Sequence, residues 1–100
     1  MGQVMVRYRV KPERVAENEA LVRAVYMELE QARPEGLRYA TYKLEDGVTF
    51  VHVAAAQDGQ NPLADVAAFK QFQKGIAERC DVPPAVSEVA EIGSYRMFGG

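Results

Sequence analysis

One hundred residues with 48% hydrophobic content make a single domain with one core, and a formal net charge of -2 leaves it nearly neutral. Lys and Arg are interspersed with Asp and Glu, so no basic stripe follows a phosphate backbone, which argues against nucleic acid as a partner. Cys80 is the sole cysteine, which rules out an intrachain disulfide and a cysteine-rich metal site. No apolar run approaches membrane-spanning length and no basic leader precedes one, so the expected location is the cytoplasm, away from membranes.

Val4, Val6, Tyr8 and Val10 alternate with Met5, Arg7 and Arg9, the period-two pattern of a strand, and Lys11-Pro12 ends it. From Pro12 to Arg33, Val15, Val22, Val25, Leu29 and Ala32 recur at helical spacing. Glu19 and Arg23 stand four apart on the wet side as a prospective ion pair. Pro34-Glu35-Gly36 stops this helix. Residues Leu37 to Glu45 and Val48 to Ala56 flank Asp46-Gly47, a strong hairpin signal, because glycine tolerates positive φ. The second arm is apolar on both faces and suits a central strand.

After a loop at Gln57-Asp58-Gly59-Gln60, Asn61-Pro62 reads as a cap followed by proline at the first helical position. A second helix is expected to run to Arg79 after an irregular first turn, with Leu63, Val66, Phe69, Phe72 and Ile76 inward. Pro83-Pro84 ends any helical continuation. A last strand from Val86 to Phe98 is expected, long enough for its far end to reach a neighbouring subunit.

The order strand, helix, strand, strand, helix, strand predicts an α+β ferredoxin-like fold. It consists of one domain over residues 1–100, a βαββαβ unit with a four-stranded antiparallel sheet and both helices on one face. Phe50, His52 and Ala54 oppose Val51, Val53 and Ala55 on the third strand, and neither set is suited to water. Two helices hide one face, so the other calls for a second copy, with a homodimer as the simplest closed solution.

The order of elements, Val10-Lys11-Pro12 leading into the first helix, the Asp46-Gly47 hairpin and Ala68-Phe69-Lys70-Gln71-Phe72 on the second helix resemble the antibiotic biosynthesis monooxygenase-like domains of the dimeric α+β barrel superfamily. The resemblance covers essentially the whole chain. It implies a homodimer, a pocket between sheet and helices in each subunit, and, in the oxygenase members, oxidation of quinol-type substrates without a cofactor. The chain departs from the family in lacking Trp. Leu63 and Ala68 stand where helical histidines are found in oxygenase members. The first strand carries no Asn, which argues against the haem-opening branch.

His52 is the only histidine and the candidate for proton handling on a small aromatic or quinol substrate, because its ordinary pKa of about 6.5 suits transfer near neutrality. The alternative is a histidine packed in a core or interface. Tyr8, Tyr26, Tyr39, Tyr42 and Tyr95 offer hydroxyls to an aromatic-binding cavity, and of these Tyr8 and Tyr26, with Asn18, are expected to line it. Asn18 falls on the apolar stripe between Val15 and Val22, so it either faces a pocket, or caps a gap near the helix start or contacts solvent there. Arg7, with Arg9, lies on the face assigned to the dimer and is a weaker candidate for an anionic ligand, or else pairs with Glu45, Glu88 or Glu91. Cys80, beside Asp81, reads as structural. Neither a metal site nor a cofactor is expected, and Ser87 and Ser94 lack a triad arrangement. The Gly99-Gly100 end reads as a frayed tail. The competing function is a non-catalytic ligand-binding or purely structural dimeric barrel protein.

Overall fold

The structure, a computed structural model, describes residues 2–57 and 59–97. Its elements are β1 (Gln3–Val10), α1 (Val15–Ala32), β2 (Arg38–Lys43), β3 (Thr49–Ala55), α2 (Ala67–Gln73), α3 (Ile76–Arg79) and β4 (Cys80–Glu88). Single 3-10 turns at Pro12–Arg14 and Pro62–Asp65 lead into α1 and α2, each with proline at its start. The strands pair antiparallel in the order β2-β3-β1-β4. This is the ferredoxin-like arrangement the element order predicts, with β1 and β3 at the centre and the helices on one face.

Local chemistry explains the boundaries. Arg33 caps α1 in the left-handed region at φ 44°, returning its N–H to the Leu29 carbonyl at 2.8 Å, immediately before Pro34. In the β2–β3 hairpin Gly47 takes φ +76°, where an L side chain would be strained. The Asp46 carboxylate accepts the N–H groups of Val48 and Thr49, each at 2.9 Å, and the Thr49 hydroxyl at 2.6 Å. Those three donors hold the Asp46 carboxyl below the usual carboxylate range.

Strand alternation decides which face is covered. Tyr8, Val10, Phe50 and Ala54 are buried beneath the helices, together with Val22, Val25, Leu63, Val66 and Phe72. The opposite face carries Met5, Arg7 and Arg9 of β1 beside half-buried Val51, Val53 and Ala55 of β3, and among the described residues no helix lies over it.

Three expectations need correction. The last strand runs over Cys80–Glu88, not from Val86 to Phe98; the described residues beyond Glu88, to Met97, form no strand, and Phe98 and the Gly99-Gly100 tail lie outside the described residues. Pro83 and Pro84 therefore lie inside a strand. They are tolerated because β4 is the outer strand and its register slips there. Arg7 faces Ala85 and Arg9 faces Val82, so β4 spends one extra residue and the missing N–H groups fall at the bulge.

The second helix is also broken. Val66 is extended, and Lys74 followed by left-handed Gly75 (φ 76°) separates α2 from α3. The inward row Leu63, Val66, Phe69, Phe72, Ile76 nonetheless stays on the sheet side. Finally, the Glu19 carboxylate bonds the Lys43 ammonium of β2 at 2.9 Å, not Arg23 along its own helix.

Candidate functional site

Between the sheet and the α2–α3 cover lies a cavity of about 440 Å³. Its floor is Val4, Val6 and Tyr8 of β1, His52 and Ala54 of β3 and Tyr39 of β2. Leu63, Phe69, Phe72 and Ile76 roof it, and Asn61, Gln73, Pro84 and Val86 complete the wall. The lining is mostly apolar and aromatic, with Asn61 and Gln73 on the wall and a hydrogen-bonded group centred on His52 in the floor.

The registers bring those groups together. Val6 and Thr41 flank His52 on neighbouring strands, and Tyr8 and Tyr39 stand two residues off on the same face. The Tyr8 hydroxyl lies 2.7 Å from His52 Nε2, and the Tyr39 hydroxyl lies 2.7 Å from His52 Nδ1. Thr41 Oγ1 is 3.1 Å from Nδ1 and 2.7 Å from the Tyr26 hydroxyl. Asn18 Nδ2 donates to the Tyr8 oxygen at 3.0 Å, and its Oδ1 accepts from Arg79 Nε at 3.1 Å. Every buried side-chain nitrogen and oxygen among the described residues has a hydrogen-bond partner.

Aromatic rings wall this chain. Tyr8 stacks on Phe50 with centroids 5.5 Å apart, Tyr26 stacks on Tyr39 at 5.3 Å, and the His52 ring lies 5.3 Å from that of Phe72. Burial sets the protonation states. His52, 4% exposed, has its pKa pushed down to about 4, because a charged imidazolium loses its water there. The phenols of Tyr8 and Tyr39 are pushed well up for the same reason, since their phenolates would be desolvated. At neutral pH the centre is uncharged apart from Arg79.

Several solved structures share this architecture. A Nitrosomonas europaea protein named as a candidate antibiotic biosynthesis monooxygenase superposes with a TM-score of 0.75 at 16% identity, over 93% of this chain and 100% of its own. Rv0793 from Mycobacterium tuberculosis gives 0.68 at 20% identity over 92% and 95%. A crystal structure named antibiotic biosynthesis monooxygenase gives 0.67 at 17% over 93% and 100%. The fold is that of the antibiotic biosynthesis monooxygenase-like proteins. No protein-family model matches the chain, and no curated protein does.

Within this fold the expected site residues part company. His52 and Tyr8 line the cavity. Asn18 is fully buried, one hydrogen bond behind Tyr8, and is not on the cavity wall. Tyr26 reaches the chain only through Thr41 and lies behind Tyr39. Arg7 is exposed on the opposite face of the sheet, so it cannot touch a ligand in this cavity within one chain.

Sequence reasoning passed over Thr41 and Arg79, and ranked Tyr39 below Tyr26 among the tyrosines offered to the cavity. Tyr39 and Thr41 share the inward parity of His52 once β2 is registered against β3. Arg79 continues the row Phe72, Ile76, Arg79 at helical spacing, a signal that charge alone obscured. It is 1% exposed, donates to the carbonyls of Phe72 at 2.7 Å and Lys74 at 3.1 Å, and its guanidinium carbon lies 5.4 Å from the Phe72 ring centroid. Among the described residues, no group of three or more His, Cys, Asp or Glu side chains gathers as a metal site would need, and no helix is long and apolar enough to cross a membrane.

Proposed function

We propose that this chain is an antibiotic biosynthesis monooxygenase-like homodimer that oxidises a small aromatic or quinol-type substrate with dioxygen and without a cofactor. The observation that carries the reading is the cavity. Its volume of about 440 Å³ fits a small aromatic molecule, and its floor carries His52 between two tyrosine hydroxyls. A deprotonated quinol supplies its own electrons to dioxygen, leaving the protein to exclude water, orient the ring and manage protons. His52 is the residue for proton handling. Because both its nitrogens are engaged, it reaches a ligand through the hydroxyl of Tyr39.

A second reading has its own support. A neutral imidazole with both nitrogens held and no Trp in the chain also suits a non-catalytic protein that binds a small apolar ligand. Aerobic incubation with quinol-type substrates separates the two. The oxygenase reading expects oxygen uptake by the wild type that His52→Ala loses. Uptake at the background rate, or equal uptake by both proteins, would reject the oxygenase role of His52.

A further inference from the structure

A guanidinium only donates hydrogen bonds. The Asn18 amide must therefore turn its oxygen to Arg79 Nε, 3.1 Å away, and its nitrogen to Tyr8, 3.0 Å away. The Tyr8 oxygen thus receives a hydrogen. Its own hydroxyl hydrogen, on a side chain 1% exposed, finds His52 Nε2 at 2.7 Å as acceptor. A nitrogen that accepts is bare, so a neutral His52 keeps its hydrogen on Nδ1 and gives it to Tyr39 at 2.7 Å, with Thr41 beside it at 3.1 Å. Thr41 also bonds the Tyr39 hydroxyl; with Tyr26 giving its hydrogen to Thr41 and Thr41 giving its own to Tyr39, the Tyr39 oxygen accepts from within and its own hydrogen turns to the cavity that Tyr39 helps to line.

We infer that Arg79, acting through Asn18 and Tyr8, orients this chain so that Tyr39 presents a hydrogen-bond donor to the cavity. The ligand class that fits is an aromatic carrying an acceptor oxygen at that point, such as a quinone-type carbonyl. The ligand half rests on the cavity being the binding site proposed above. Arg79 is a positioning residue: it touches no ligand, and its bonds to the Phe72 and Lys74 carbonyls fix the roof over the same cavity.

With a single histidine in the chain, isotope-labelled nitrogen NMR reads the His52 ring without ambiguity. At neutral pH the wild type is expected to show a protonated Nδ1 and a bare Nε2. Asn18→Asp reverses the logic, because a carboxylate only accepts. Arg79 still donates to it, Tyr8 turns its hydroxyl to it, Nε2 becomes the protonated nitrogen, and Tyr39 turns inward. Naphthoquinone is then expected to bind the wild type roughly tenfold more tightly than Asn18→Asp or Tyr39→Phe, the equivalent of one hydrogen bond. Naphthalene, with no acceptor, is expected to bind all three alike.

A wild-type ring protonated on Nε2 overturns the orientation whether or not any variant folds, and an unchanged ring in Asn18→Asp does the same. Equal naphthoquinone affinity across folded proteins overturns the ligand class. A reversal of the ring with neither compound bound leaves Arg79 its positioning role but overturns the ligand class, and with it the cavity as binding site.

Discussion

Burial holds His52 neutral, and that links the stability of the molecule to pH. The native pKa is pushed down to about 4 from an ordinary 6.5, so between those values the unfolded chain binds a proton that the folded one refuses. Stability therefore rises with pH through this window and is lost as pH falls from 6.5 toward 4. The shift corresponds to roughly 3 kcal/mol over the full window. Urea unfolding at several pH values checks this against His52→Gln, which keeps a polar side chain without the titration. The wild type is expected to lose more stability on acidification than the variant, and parallel profiles would refute the assignment. Exposed Glu17 and half-buried Glu19, whose pKa values are lowered by Arg14 and Lys43, titrate in both proteins and cancel in the comparison. At this scale strand alternation made Tyr8 legible, whereas His52 stood on a strand apolar on both faces and only its pairing with Val6 and Thr41 turns it to the cavity rather than the interface. Arg79 stayed hidden, because a charge at a helix end reads as solvated unless carbonyls and an amide are known to surround it.

The cover over the cavity is built from short pieces, each tied down by polar groups from elsewhere. The first two free N–H groups of α2, on Ala67 and Ala68, are both accepted by the Glu28 carboxylate of α1, at 3.0 and 2.9 Å. The other end of α2 is held by Arg79. No residue of the sequence near Val66 offers a side-chain cap, so a carboxylate from a helix 40 residues away does that work. Glu28→Ala is expected to cost about 1 kcal/mol, within the usual range for a lost cap. Amide hydrogen exchange should rise selectively over residues 67–73, with β1 and β3 protected as before. Uniform loss of protection would mean that α2 is not a separately anchored unit.

This scale also shows where periodicity misled. The inward row Leu63 to Ile76 is continuous in sequence and suggested one helix, whereas the breaks at Val66 and Lys74–Gly75 depend on backbone conformations that an apolar stripe does not report. Pro83-Pro84 were read only as a stop to helix, which holds since α3 ends at Arg79; that they also lie within an outer strand depends on a bulge the sequence does not announce.

For the whole molecule the open sheet face is decisive. Within one chain Met5, Tyr42 and Val82 are 38%, 43% and 44% exposed on that face, around half-buried Val51 and Val53 at its centre. The stretch after β4 adds Ile92 and Tyr95, which are 98% and 78% exposed. So much apolar surface on a domain this small favours closure by a second copy, and the face is apolar at its centre with Arg7, Arg9 and Arg38 around it, the layout of an interface core with a polar rim. Under the proposed dimer, Val53→Arg puts a charge at the apolar centre of the face that a second copy would cover. In a lone chain the same side chain extends into solvent, and folding is expected to survive. Light scattering at micromolar concentration should give twice 11.1 kDa for the wild type and 11.1 kDa for the variant, with matching circular dichroism. A wild type that scatters as a monomer would remove the dimer, and a Val53→Arg protein that remains dimeric would move the interface off this face.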